Sequence, residues 1–268
     1  MGSPGVLFEE EGEIRFRPDL EKKLFPMNKY PHKANEPQDG CIVVYQHPPE
    51  EIPGGLYKIG LDPVALDKSG SKSLNAAYVY KTYQKFEYGY DEIVAEYVGR
   101  PDNIEIYNRN LELLSEYFGG AEIMFENDRG EVLSYFKRRG KMHLLANQPD
   151  NVISKVIKDS TVARIKGCHM NDRMKDAGEK FILRWLWTER GTNEDGSKVY
   201  NMDLLPSPGL IEELISYHRD GNFDRVMGFM QLMFSVEEEF DREIKKEPYK
   251  NDVAMFLTNN LNSLFAKK

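Results

Sequence analysis

The stretch from Leu56 to Ala146 constrains the fold most. Three strand signals follow at short spacing: LYKIGLD (56–62), SLNAAYVYKTYQ (73–84) and YDEIVAEYVG (90–99). Gaps this short do not hold a crossover helix, so the three predict an antiparallel meander. The period then changes. In RPDNIEIYNRNLELLSEYFGG the apolar positions Ile104, Tyr107, Leu111, Leu114 and Phe118 step by three and four, which is one helical face. Asp102 with Glu105 reads as a capping box, and Gly119-Gly120 as the helix end. AEIMFE (121–126) reads as a short buried strand, GEVLSYFKRRG (130–140) as a second helix closed by Gly140, and KMHLLA (141–146) as another strand. A meander followed by helix–strand–helix–strand predicts an α/β fold: a mixed sheet, with parallel strands added beside the three antiparallel ones, flanked by helices.

The flanks are less regular. Residues 1–40 read as an irregular, proline-punctuated arm or linker, with the opening MGSP set aside as a possible tag scar. CIVVYQHPP (41–49) reads as an edge strand stopped by its prolines. Toward the C-terminus, residues 172–191 form one long helix candidate, and Asp195-Gly196 a hairpin tip. SPGLIEELISYHRDG opens with a Ser N-cap and Pro at the first helical position. NFDRVMGFMQLMFSVEEEF is the strongest late helix, with Asn222 as its expected cap. The expected division is an arm at 1–40, one domain at 41–250 and a helical tail at 251–268.

Composition narrows the class. The chain has 14 Phe and 15 Tyr, enough for a substantial core, and no apolar run near the roughly 18 residues that cross a bilayer. Cys41 and Cys168 are the two cysteines, which excludes a disulfide scaffold and a Cys-rich zinc site and points to a reducing compartment. The net charge of −8 argues against a protein whose main task is coating nucleic acid. It leaves room for an enzyme that grips nucleic acid locally and uses carboxylates for chemistry.

The segment YKIGLDPVALDKSGSKS (57–73) offers two chemistries. A phosphate loop needs Gly, four residues, then Gly-Lys-Ser/Thr. Here Ser71 precedes Lys72, Leu66 lies six before it, and a strand rather than a helix follows. The phosphate-loop reading therefore fails, and DKSGSKS reads as a solvated connection. The aspartate remains. Asp62 ends a strand, where alone it would be ordinary turn chemistry before Pro63. Glu126 ends AEIMFE in the same way. If those strands run parallel and adjacent, the two carboxylates meet at one edge, and a divalent cation relieves their repulsion. Asp224, beside the apolar stripe of Phe223, Val226, Met230 and Met233, is a third candidate, although a helix N-terminus also favours an acid there. Gly228, one turn on, is expected to leave space for a metal or phosphate to approach.

These segments, in order, resemble the C-terminal nuclease domain of the large terminase subunit of tailed bacteriophages, a member of the RNase H-like superfamily. The resemblance runs from about Cys41 to about Glu237 and rests on YKIGLDP, IVAEYVGRP, IMFENDRG and LIEELISYHRDGNFDRVMGFM. It implies an RNase H-like fold and a metal-dependent endonuclease that cuts concatemeric viral DNA in the genome-packaging motor. It places the motif acids on Asp62, Glu126 and Asp224 as catalytic residues and metal ligands, holding two Mg²⁺ or Mn²⁺ ions. It implies double-stranded DNA, the terminase ATPase domain, the portal and the small terminase subunit as partners, in the host cytoplasm and transiently at the procapsid portal. A complete large terminase carries a Walker loop and none is found here, so the resemblance covers the nuclease part. Asp67 is an outer-shell candidate that reads more readily as a turn residue.

Basic clusters at Lys68 and Lys72, and at Lys137, Arg138, Arg139 and Lys141, are candidate DNA contacts, although such clusters are commonly solvated faces. His32, His47, His143, His169 and His218 show no zinc spacing. Trp185 and Trp187 read as packing residues. Two other readings keep the same residues: another RNase H-like nuclease of the resolvase or transposase type, and a non-catalytic packaging module that docks on a portal or motor.

Overall fold

A computed structural model describes residues 2–29, 38–64, 73–82, 91–128, 130–156 and 166–246. Seven strands form one sheet: β1 (Ser3–Glu10), β2 (Glu13–Pro18), β3 (Cys41–Val44), β4 (Tyr57–Asp62), β5 (Asn75–Lys81), β6 (Glu92–Gly99) and β7 (Glu122–Phe125). Their spatial order is β2-β1-β3-β6-β5-β4-β7. The expected meander is present, with β4 antiparallel to β5 and β5 antiparallel to β6. β7 adds to β4 in parallel. Beyond β7 the chain contributes two isolated parallel bridges, Ile123 with Leu145 and Glu126 with Cys168. From β6 to Leu145 this is the expected mixed sheet, antiparallel strands with parallel additions, with helices on both faces.

Why the centre of the sheet forms is plain from burial. Every residue of β4 and β5 is buried, and period-two alternation sends neighbouring side chains to opposite helical layers. Ile59 and Leu61 join α1 (Ile104–Tyr117) and α2 (Gly130–Arg138) on one face. Tyr78 and Tyr80 join α4 (Asp172–Leu186) and α6 (Asp224–Lys246) on the other. α3 (Asp150–Val156) and α5 (Pro208–Ser216) fill that second layer. β8 (Glu189–Thr192) and β9 (Lys198–Tyr200) make a separate hairpin, with Gly196 at positive φ in its turn as expected. No described helix is long and apolar enough to cross a membrane.

Several expectations need correction. The arm at 1–40 is not irregular throughout: β1 and β2 are a hairpin, and Ser3 and Pro4 of the supposed scar pair with Val44 and Val43. Consequently CIVV is an interior strand, lying between β1 and β6. KMHLLA is a short 3-10 turn at Met142–Leu144 plus the Leu145 bridge rather than a full strand. The long helix stops at Leu186, and its last expected residues enter β8. The cap of α1 is Asn103, which accepts from the Glu105 backbone, while Asp102 accepts from Gln38. Ser207 caps α5 as expected. The expected tail at 251–268 lies outside the described residues.

Candidate functional site

β4 and β7 carry the first two acids. Their register pairs Lys58 with Glu122, Ile59 with Ile123, Gly60 with Met124 and Leu61 with Phe125. Asp62 and Glu126 each stand one residue further, at the same end of two adjacent parallel strands. Alternation puts both on the face of Lys58, Gly60 and Met124. That face is covered by α6: Lys58 pairs with Glu239 at 2.9 Å, and Gly60 lies against Gly228 and Leu232.

α6 delivers the third acid to this end. A side chain at Gly60 would meet the Leu232 nitrogen at 2.3 Å, and one at Gly228 would meet the Ala76 carbonyl oxygen at 2.5 Å and the Asp62 nitrogen at 3.3 Å. The two glycines therefore let the helix settle directly on β4 and β5. This corrects the expectation for Gly228: backbone fills its space, and no opening for a metal or phosphate remains there. One turn earlier, Asp224 Oδ2 accepts the Leu74 N–H at 2.8 Å and the Asn222 side-chain N–H at 2.9 Å. Asn222 thus holds Asp224 rather than capping α6, whose first turn closes on the Phe223 carbonyl.

Electrostatics single out Asp224. Burial pushes its carboxyl up to about 6, and Glu213 adds to this against the Leu74, Asn222 and Ser73 hydrogen bonds. Among the described residues no cationic side chain pairs with it. Burial likewise raises the Cys168 thiol to about 12, with Glu126 and Asp128 reinforcing it. That thiol is a packed core group, not a nucleophile.

The other candidates separate. Asp67, Lys68 and Lys72 lie outside the described residues, as does His32. Lys137 is exposed. Arg138 bonds Glu105. Arg139 and Lys141 converge on Glu112 at 3.0 and 2.8 Å, and Lys141 also reaches Glu116. Glu112 and Glu116 lie in the second half of α1, which runs toward the start of β4, where Phe118 packs 4.9 Å from Tyr57. Arg139 and Lys141 are thus structural cations directed away from the acid edge. Trp185 is buried and donates to Tyr80 Oη at 2.9 Å; Trp187 packs edge-on against Tyr200. One residue that spacing alone did not mark does reach the acid edge: His169, whose Nδ1 is 2.5 Å from Asp128 Oδ1. IMFENDRG already held Asp128 two residues after Glu126, but its histidine partner comes from 41 residues away.

No protein-family model matches the chain, and no curated protein does. Among solved structures it is similar to phage terminase nucleases. The large terminase nuclease from thermophilic phage G20c with bound zinc shares 13% identity, over 78% of this chain and 92% of that one, with a TM-score of 0.42. The same nuclease with bound magnesium shares 15% over 80% and 93%, with a TM-score of 0.34, and with bound cobalt 16% over 80% and 93%, with a TM-score of 0.33.

Whether a divalent ion fits is a matter of donor chemistry and grouping. Three carboxylates offer hard oxygen donors, and a buried acid with a raised carboxyl lacks the positive charge that an ion supplies. Among the described residues, no three His, Cys, Asp or Glu side chains are drawn into one ligand set. Asp62 and Glu126 stand at the same end of adjacent strands, and Asp224 at the start of α6, without being drawn into one shell.

Proposed function

We propose that this chain is a metal-dependent DNA endonuclease of a phage genome-packaging motor. One observation carries the reading: Asp62 and Glu126 stand one residue beyond the last pairing of adjacent parallel strands, and α6 brings Asp224 to the same end. The ordered resemblance of the four motif segments supports the substrate.

In this reading Asp62, Glu126 and Asp224 hold one or two Mg²⁺ or Mn²⁺ ions, which supply Lewis-acid stabilisation of the phosphate and lower the pKa of bound water. The chain's own contribution is placement. β4 and β7 fix two carboxylates at strand spacing, and the Leu74 N–H and Asn222 fix the rotamer of the third. The phosphodiester backbone of concatemeric duplex DNA is the proposed substrate at this end of the sheet. The ATPase domain of the motor, the portal and the small terminase subunit are the proposed partners, and the host cytoplasm and procapsid portal the proposed place of action.

The test is plasmid cleavage with magnesium, manganese or EDTA, beside Asp62→Asn, Glu126→Gln and Asp224→Asn. Wild type is expected to nick and linearise DNA with metal only, and each variant to lose most cutting. Cutting that persists in all three variants places the active site elsewhere. An inactive wild type that also binds no metal in calorimetry favours a docking module instead.

A further inference from the structure

Asp224 is the first residue of α6, so its place depends on what holds the first turn of that helix. A helix leaves its first N–H groups without partners inside itself. Here a neighbouring helix supplies the partner. Glu213 of α5 accepts the Arg225 N–H on Oε2 at 2.9 Å and the Val226 N–H at 3.3 Å. Its other oxygen, Oε1, accepts from the Arg225 guanidinium at 2.9 Å. Arg225 is buried, and the same guanidinium donates to the Met27 carbonyl at 2.5 Å and the Asn28 carbonyl at 3.3 Å. Met27 in turn donates its N–H to the Val98 carbonyl of β6 at 3.3 Å. The arginine lies against Gly209 of α5, where an added methyl would meet Nε at 2.7 Å. Asp224 thus stands between two anchorages. Leu74 and Asn222 hold its carboxylate, and Glu213 holds the backbone that follows it. With Glu213 on them, the Arg225 and Val226 N–H groups are not open to a phosphate.

We propose that Glu213 is a positioning residue for Asp224, acting through the first turn of α6, with Arg225 tying that turn to α5 and to residues 27–28; this rests on the nuclease reading above. Without Glu213 the turn loses its acceptor and frays, and Asp224 is no longer held against Leu74. The consequence falls on metal affinity rather than on the chemistry of a loaded site, because two carboxylates stay on fixed strands while the third is loosened. Glu213 also places negative charge near Asp224. Glu213→Asp separates the two contributions: it keeps the charge but withdraws the carboxylate by one methylene from the N–H groups.

The experiment compares the full chain as wild type, Glu213→Ala, Glu213→Asp, Glu112→Gln, Asp62→Asn and Asp224→Asn. Amide hydrogen exchange is followed without metal, Mn²⁺ affinity is measured by calorimetry, and plasmid cleavage is run across a metal series. The Leu74 amide bonds to Asp224, so in Glu213→Ala it is expected to exchange about fivefold faster. Mn²⁺ affinity is expected to fall about tenfold or more, with cleavage regained as the metal is raised. Glu213→Asp is expected to shift both readouts in the same direction. Glu112→Gln, on the other face of the sheet, is expected to bind Mn²⁺ as wild type does, which separates placement from a general loss of stability. Unchanged Leu74 exchange or unchanged Mn²⁺ affinity in Glu213→Ala overturns the assignment. A Glu213→Asp that behaves as wild type does overturns it too, by making the effect one of charge, and it decides alone if Glu213→Ala does not fold. A wild type that binds no Mn²⁺, or whose binding survives both Asp62→Asn and Asp224→Asn, overturns the metal site and this role with it, even where Leu74 exchange responds.

Discussion

Two buried carboxylates show how the same residue type is handled in opposite ways. Burial raises Asp224, and among the described residues no cation pairs with it. Burial would raise Glu112 as well, but hydrogen bonds from Arg139, Lys141 and Tyr135 overcome it and hold the carboxyl at about 2. Arg109 adds a contact at 2.7 Å, and the Glu112 side chain is fully buried. Because the folded value lies below the unfolded one, this group stabilises the fold above its unfolded pKa of about 4.3. That contribution is lost as pH falls from there toward 2. The shift corresponds to about 3 kcal/mol. Glu112→Gln should therefore lower stability at pH 7 by about 3 kcal/mol, since the cations around it lose their partner. It should also flatten the acid limb between pH 4.5 and 2. Urea unfolding at a series of pH values checks both, and an unchanged acid limb would remove Glu112 from the account. The basic run at 137–141 looked like a nucleic-acid contact because spacing shows charge but not what that charge faces. Two of its members face Glu112.

At the level of elements, the position of α6 sets the position of Asp224, and glycines set the position of α6. Gly60 faces the Leu232 nitrogen at 2.3 Å and the Gly228 carbonyl at 2.5 Å, so an added methyl meets backbone that cannot yield without moving the helix. Gly178 of α4 is equally tight, but there the neighbour is the Met230 side chain at 2.3 Å, which can change rotamer. Gly60→Ala and Gly228→Ala are expected to cost about 2 kcal/mol or more, and Gly178→Ala clearly less. Denaturant midpoints rank the three, and equal costs would show that α6 adjusts freely. On the proposed metal site, Gly228→Ala should also weaken metal binding, because it displaces Asp224 from the strand ends. The acid edge itself was legible in sequence, since Asp62 and Glu126 each close an unbroken apolar run. The glycine contacts were not: period and propensity show that Gly228 shares a helix face with Asp224, but not that the Ala76 carbonyl occupies the gap.

For the whole molecule, the central meander, α1 and α2 were legible because their strands are buried on both faces and their helices keep one apolar stripe. The N-terminal hairpin was not. β2 is half exposed, with Arg15, Arg17 and Glu13 interrupting its apolar positions. Its turn uses Glu11 and Gly12, both at positive φ, rather than the Asn-Gly or Asp-Gly signal of a tight hairpin. Yet this hairpin decides the state of the sheet edge. β3 is fully buried Cys-Ile-Val-Val, and β1 pairs along it from Ser3–Val44 to Gly5–Ile42. The outermost strand is then β2, whose charged side chains discourage pairing with another chain. Deleting residues 1–18 would leave β3 as an uncapped apolar edge with open backbone groups, the arrangement that recruits a second copy. The deleted protein is expected to self-associate in light scattering and to melt about 5 °C or more below the full chain. If Val43→Lys in the deleted protein restores the association state of the full chain, the edge is the cause, because a charge placed on an exposed strand opposes pairing. A deleted protein that scatters and melts as the full chain does would make the hairpin an ornament on the fold. It would also put the functional boundary back near Cys41, where the motif resemblance begins.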